Sequence, residues 1–198
     1  MRKIIHVLSL LTFFSCSNEK KPTQSTAADP IQATVDTGHA STPEVVPNKP
    51  DATSIPPANA GKWTYESTTD KDGNPVYKAS NTALDSLKFG FPYAAGSTAT
   101  LTIRKRASST TVYLQVSNGQ FNRSFQGGQA RIRFDNQPAS QYAFSAAENG
   151  SANVIFFDEA GKLIDRLKAS KKMVIDVEFY AQGSRQIAFR TANLTWNH

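Results

Sequence analysis

The chain has 198 residues, 39% of them hydrophobic, a net charge of +6 at pH 7, three histidines and one cysteine. A single cysteine excludes an internal disulfide and leaves zinc without a plausible ligand set. The histidines, His6, His39 and His198, lie outside the body of the chain, so no Ser/His or Cys/His catalytic pair is available within it.

The first element in chain order is a leader. Arg2 and Lys3 precede an apolar run from Ile4 to Phe14, then Ser15-Cys16 opens a polar segment. About a dozen apolar residues suit the h-region of an export signal and fall short of the about 20 that a membrane-spanning helix needs. A small residue before the only cysteine reads as a lipobox, with Phe13-Phe14 in place of the commoner small and leucine residues. Residues 1–15 are therefore expected to be a signal peptide and Cys16 to be the lipidated first residue of the mature chain. Each methylene of an attached acyl chain contributes about 0.8 kcal/mol when buried, so a multiply acylated cysteine is a permanent membrane anchor. Ser17-Asn18 after the cysteine, with no aspartate next to it, points to the outer membrane of a bacterial envelope and leaves the facing leaflet open.

Residues 16–61 read as a disordered linker. Seven of the ten prolines lie here, among Thr, Ser, Ala and Asn, with no aromatic residue. Such a segment cannot bury enough apolar surface to offset its ordering entropy. At about 3.1 Å per residue in a polyproline-like state its reach is on the order of 100 Å. A modified mucin-like stalk is the alternative for this composition.

Residues 62–198 have the size of one domain with one core. Trp63 and Trp196 frame it, and the first and last strands are expected to pack close together. Trp63 to Glu66 and Val76 to Ala79 flank Asp72-Gly73, a strong hairpin signal. Asp70-Lys71-Asp72-Gly73-Asn74 alternates oxygen side chains as a calcium loop does, but lacks the closing acid and is a turn first. Leu87 to Phe91 suggests a third strand. Leu101 and Ile103, then Val112, Leu114 and Val116, then Ala130, Ile132 and Phe134 each alternate with polar residues, as half-buried strands do. Tyr142 to Phe144 and Val154 to Phe157 add short strands. Leu163, Ile164 and Leu167 then share one face of a short helix near residues 158–170. Met173, Ile175, Val177 and Phe179, followed by Ile187 and Phe189, restore the strand period. The fold class expected is mainly β, an antiparallel β-sandwich with one short α-helix.

The basic excess belongs to this domain. From Lys62 onward there are 17 Lys and Arg against 11 Asp and Glu, whereas residues 16–61 carry 3 and 5. With the apolar rows inward, Arg104, Arg106, Tyr113, Arg131 and Arg133 point outward. If their strands are neighbours they form a cationic stripe suited to an anionic envelope glycan or lipid, guanidinium forks matching phosphate or carboxylate and tyrosine stacking on sugars. The plainer reading is a solvated face whose charges protect the sheet. Arg166, Lys168, Lys171 and Lys172 form a second cluster that complements the helix C-terminus, or touches a membrane surface. No specific nucleic-acid partner is expected in this compartment.

Asp176 and Glu178, two apart on one strand, have the spacing of a carboxylate pair, but read as exposed residues opposite the core row. Phe121 and Phe125, between Gly119 and Gly128, are either aromatic anchors of an exposed loop or core residues. The chain is expected to be non-enzymatic and cofactor-free. It is read either as a binding module or as a protein-interaction accessory factor, and salt dependence of binding separates the two.

The order Leu101-Thr102-Ile103-Arg104, Val112-Tyr113-Leu114, Arg131-Ile132-Arg133-Phe134-Asp135, Leu163 to Lys172, and Gly183 with Ile187-Ala188-Phe189 resembles small exported bacterial β-sandwich proteins. These include the periplasmic accessory proteins of type VI secretion and the invasion-associated locus B group. The resemblance covers roughly Leu101 to Trp196 and contains no catalytic signature. It implies an envelope location, a non-enzymatic sandwich and a possible secretion-system role. Where such relatives often carry a cysteine after the arginine of the first strand, this chain has Lys105, so the resemblance implies no disulfide here.

Overall fold

The computed structural model describes residues 56–198. The expected leader, Cys16 and nearly all of the expected linker lie outside the described residues. Nine strands and one helix follow in order: β1 (Trp63–Thr69), β2 (Pro75–Thr82), β3 (Ala99–Arg106), β4 (Ser109–Val116), β5 (Gly128–Phe134), β6 (Ser140–Ala146), β7 (Val154–Phe157), α1 (Ala160–Lys168), β8 (Lys172–Phe179) and β9 (Gly183–Arg190). All nine join one antiparallel sheet in the order β1-β2-β3-β4-β7-β6-β5-β8-β9.

Alternation decides which face each residue takes. Leu101, Ile103, Val112, Leu114, Ile132, Phe134, Met173, Ile175, Val177, Ile187 and Phe189 are buried in one core, while their neighbours in sequence turn outward. The sheet folds over so that its two ends meet. Asn81 of β2 donates through Nδ2 to the carbonyl of Arg190 at 2.8 Å, and the Leu84 amide donates to Ala188 at 2.8 Å. The helix places Leu163, Ile164 and Leu167 in the core and packs against β4. No helix among the described residues is long and apolar enough to cross a membrane.

One expectation is corrected. Leu87 to Phe91 is not a strand: Leu87 makes only an isolated bridge to Ser97. The segment instead runs along β9, with Gln182 Oε1 accepting from the Gly90 amide at 2.8 Å and Arg185 Nε donating to the Lys88 carbonyl. The exposed edge of β9 is itself partly occupied by the Leu84 amide and Asn81 Nδ2, which bond the Ala188 and Arg190 carbonyls and blunt an edge that would otherwise invite pairing. The first and last strands, β1 and β9, are the two edges of the sheet and do not pair with each other. The ends are joined by side chains and by the tail after β9. Trp63 Nε1 donates to the Thr191 carbonyl at 3.1 Å. Tyr65 Oη accepts from the Thr195 amide at 2.8 Å, and Trp196 is buried in the core.

The β1–β2 turn is built on Asp70. Its Oδ1 accepts from the amides of Asp72 and Asn74, both at 2.9 Å, and Gly73 takes the left-handed conformation, φ +83°, that closes the turn.

Candidate functional site

The five outward residues expected to form one stripe fall into three places. Arg104 on β3 and Tyr113 on β4 are neighbours, the guanidinium carbon lying 5.7 Å from the ring centroid. Arg131 and Arg133 on β5 are not beside them. Strands β7 and β6 intervene between β4 and β5, which separates the rows by roughly 14 Å even before the sheet curls. The single stripe is therefore corrected to separate clusters. Alternation assigns a face correctly, but neighbours in the sheet are chosen by non-local pairing.

Arg106 belongs to the turn. Its Nε donates to Asp70 Oδ2 at 2.7 Å and its Nη2 lies 3.4 Å from Asp72 Oδ2. The Arg106 hydrogen bond, helped by the turn amides, holds the Asp70 carboxyl down from 3.8 to about 2. The same partner raises Arg106 above its ordinary value. Oxygen atoms that a calcium ion would need are thus committed to a guanidinium and to backbone amides. Because the folded pKa is depressed, the stabilisation from Asp70 is fully present above pH 3.8 and is lost as pH falls towards about 2. The stability difference between wild type and Asp70→Asn, followed by denaturant melts across acidic pH, is expected to be constant above that window and to shrink through it.

Arg131 and Arg133 join residues that the sequence placed elsewhere. Cross-strand partners bring Arg131 opposite Asp176, which faces Gln186, and Arg133 opposite Val174, which faces Ala188; one step further, Lys172 faces Arg190. Arg131, Arg133, Asp176 and Gln186 line a shallow groove of about 290 Å³. Arg133 also lines an adjoining groove of about 480 Å³ with Asp135, Lys171 and Lys172. Asp135 is engaged by the backbone, its Oδ1 accepting from the Lys171 and Lys172 amides at 3.0 and 2.9 Å. That geometry fixes the bend leading into β8 and presents both lysines beside Arg133. The outer face of β5, β8 and β9 is therefore a basic surface in which Arg190 was not foreseen. Its signal was present only in the exposed row of β9.

The second cluster also divides. Helix α1 ends at Lys168, so Arg166 and Lys168 lie in its last turn and complement its C-terminus. Arg166 lies over the Phe134 ring at 5.2 Å. Lys171 and Lys172 stand beyond the helix and belong to the basic face.

The two phenylalanines of the 119–128 segment separate as well. Phe121 is 1% exposed and stacks on Phe179 with centroids 4.7 Å apart, whereas Phe125 is 66% exposed. Phe91, at 92%, and Tyr180, at 66%, are the other strongly exposed aromatics of nearby loops. The three loops converge on one end of the sandwich. Tyr180 donates its amide to the Gln120 carbonyl at 2.9 Å, and Phe89 packs on Phe179 with centroids 4.8 Å apart.

Glu178 accepts from Asn122 Nδ2 at 2.7 Å, and Asp176 lies in the Arg131 row, so neither is part of an enclosed carboxylate pair. His198 stacks on Tyr77 at 3.9 Å. Among the described residues no three His, Cys, Asp or Glu side chains gather as a metal ion would require. No protein family, no curated protein and no solved structure matches the chain.

Proposed function

We propose that this protein is a lipoprotein of the bacterial cell envelope, anchored through lipidated Cys16 to the outer membrane, whose sandwich is a non-catalytic binding module for an anionic envelope glycan or lipid. The observation that carries the reading is the convergence of Arg131, Arg133, Lys171, Lys172 and Arg190 on one outer face. The acidic groups beside them are Asp176, opposite Arg131, and Asp135, which is bonded to backbone amides. Guanidinium forks and ammonium groups together suit phosphate and carboxylate groups repeated along a polymer or across a lipid surface.

The chain also enters the fold beside this face. The Gly61 amide donates to the Thr82 carbonyl at 2.8 Å, and a Cβ at Gly61 would lie 3.1 Å from Arg190 Cβ.

The test is equilibrium binding of the full chain to lipopolysaccharide and to isolated peptidoglycan over a salt series. Lys or Arg near an anionic surface contributes about 1 kcal/mol each, so Arg131→Ala/Arg133→Ala is expected to weaken binding roughly thirty-fold at low salt. Wild-type affinity is expected to fall steeply as salt rises. In cells, Cys16→Ser is expected to leave the membrane fraction. Binding indifferent to salt and to both arginines would overturn the reading.

One observation favours the alternative, an accessory or assembly factor of a secretion or envelope complex. Phe91, Phe125 and Tyr180 expose aromatic rings on loops held at one end by the Phe89, Phe121 and Phe179 stack. Aromatic anchors of this kind dominate protein interfaces, and their contact with a partner would persist at high salt.

A further inference from the structure

Away from the basic face, the outer surface of β3, β4, β7 and β6 carries an open groove of about 440 Å³. Its apolar floor is Phe156, and its rims are Arg104 and Thr111 on one side and Ser145, Glu148 and Asn149 on the other. Strand register places these groups. Thr102, Tyr113, Phe156 and Ser145 form one cross-strand row, and alternation turns the row outward.

The groove is stiff. Tyr113 packs beside Phe156 with ring centroids 5.2 Å apart, and Arg104 in turn lies over Tyr113. Ser145 Oγ donates to Asp158 Oδ1 at 2.5 Å, which pins the opposite rim. Asn149 Oδ1 accepts from the Ser151 amide at 3.1 Å, which leaves its side-chain NH₂ to donate to a ligand. Among the described residues the Arg104 guanidinium has only the Tyr113 ring as partner. The rims thus offer unspent donors on Arg104 and Asn149 and unspent acceptors on Glu148, around an aromatic floor.

Charge and topology select the occupant. Among the side chains that line it Arg104 and Glu148 balance, and the nearby Asp158 carboxylate is engaged by Ser145, so the groove favours a neutral ligand, in contrast to the basic face. The ligand must both donate and accept from its edges and present an apolar face to a ring. An extended peptide that adds to a sheet needs an unpaired edge, and β4, β7 and β6 are each paired on both sides. A pyranose ring meets all three conditions, with hydroxyls at its rim and C–H groups on its face.

We propose that this groove is a saccharide subsite, in which Phe156 stacks on a neutral sugar ring while Arg104, Glu148 and Asn149 bracket its hydroxyls. The site uses no residue of the basic face and fails or stands independently of it.

The test titrates the ¹⁵N-labelled full chain with chitotriose, cellotriose and maltotriose as neutral probes, and with triglycine as a peptide control. At least one trisaccharide is expected to shift the amide resonances of Thr111, Phe156 and residues 145–149 saturably and without salt dependence. Arg104→Met, which keeps the aliphatic stem over Tyr113, is expected to weaken that binding about tenfold through loss of charged hydrogen bonds. Phe156→Leu is expected to weaken it as well, whereas Arg131→Ala/Arg133→Ala leaves it unchanged. The proposal is overturned if no trisaccharide shifts these resonances, if the shifts map elsewhere, if only triglycine binds, or if Arg104→Met and Phe156→Leu bind as wild type does.

Discussion

Phe179→Ala is expected to destabilise the fold by about 3–5 kcal/mol, the range for truncating a buried phenylalanine. Phe179 ends β8 fully inside the core, stacked on Phe121 and packed on Phe89. Those rings come from the segments before β3 and after β4, so one side chain joins loops distant in sequence. Its backbone adds to the joint through an isolated bridge with Phe121. A cavity here cannot collapse easily, because three separate chain segments would have to move together. For a domain of this size the loss corresponds to a fall in Tm of roughly 10 °C or more. Thermal and denaturant melts of Phe179→Ala beside Phe179→Leu measure it, with the leucine variant expected to lose much less. A loss below about 1 kcal/mol for alanine would mean that the three-ring cluster does not hold these loops together.

Leu167→Ala is expected to cost about 2–5 kcal/mol and to weaken anion binding as well. A nine-residue helix has little stability of its own in water, so α1 is held by burial of Leu163, Ile164 and Leu167. Its C-terminal end leads to Ser170, whose Oγ lies 2.8 Å from Thr191 Oγ1 in a buried hydrogen bond. Lys171 and Lys172 follow directly. Loosening Leu167 therefore releases one rim of the basic face without removing a charge. The control is Lys168→Ala, an exposed change expected to alter stability by less than about 0.5 kcal/mol. Melts and lipopolysaccharide binding measured on the same preparations check both effects. Unchanged binding by a destabilised Leu167→Ala would show that the lysines are positioned by Asp135 and β8 alone.

Much of this fold was legible in the residues. The Asp72-Gly73 hairpin, the alternating rows of β3, β4, β5, β8 and β9, and the apolar face of α1 each follow from local backbone geometry, a turn or a fixed side-chain period. Their periods survive in the sequence for that reason. Leu87 to Phe91 misled because Leu87 and Phe89 are buried as strand residues are, yet they face the core from an irregular segment that covers β9. Trp63 and Trp196 were expected to frame first and last strands that pack close together. In the structure Trp63 bonds the Thr191 carbonyl just after β9, and Trp196 is buried in the tail that follows.

The candidate site was legible by face and illegible by neighbourhood. Arg104, Tyr113, Arg131 and Arg133 are outward, as their positions opposite Ile103, Val112 and Ile132 require, but their grouping was not. Side-chain alternation has a period of two residues and states only which side of the sheet a residue takes. Which strand lies beside it depends on hydrogen-bond pairing between segments tens of residues apart. The sequence by itself determined a mainly β domain, the orientation of its strands' side chains and the placement of its helix. Only tertiary pairing decided that β7 and β6 separate two arginine clusters, that Lys171 and Lys172 join Arg133, and that Phe156 lies between Arg104 and Glu148. Those associations arise from long-range contacts, which leave no local period to read.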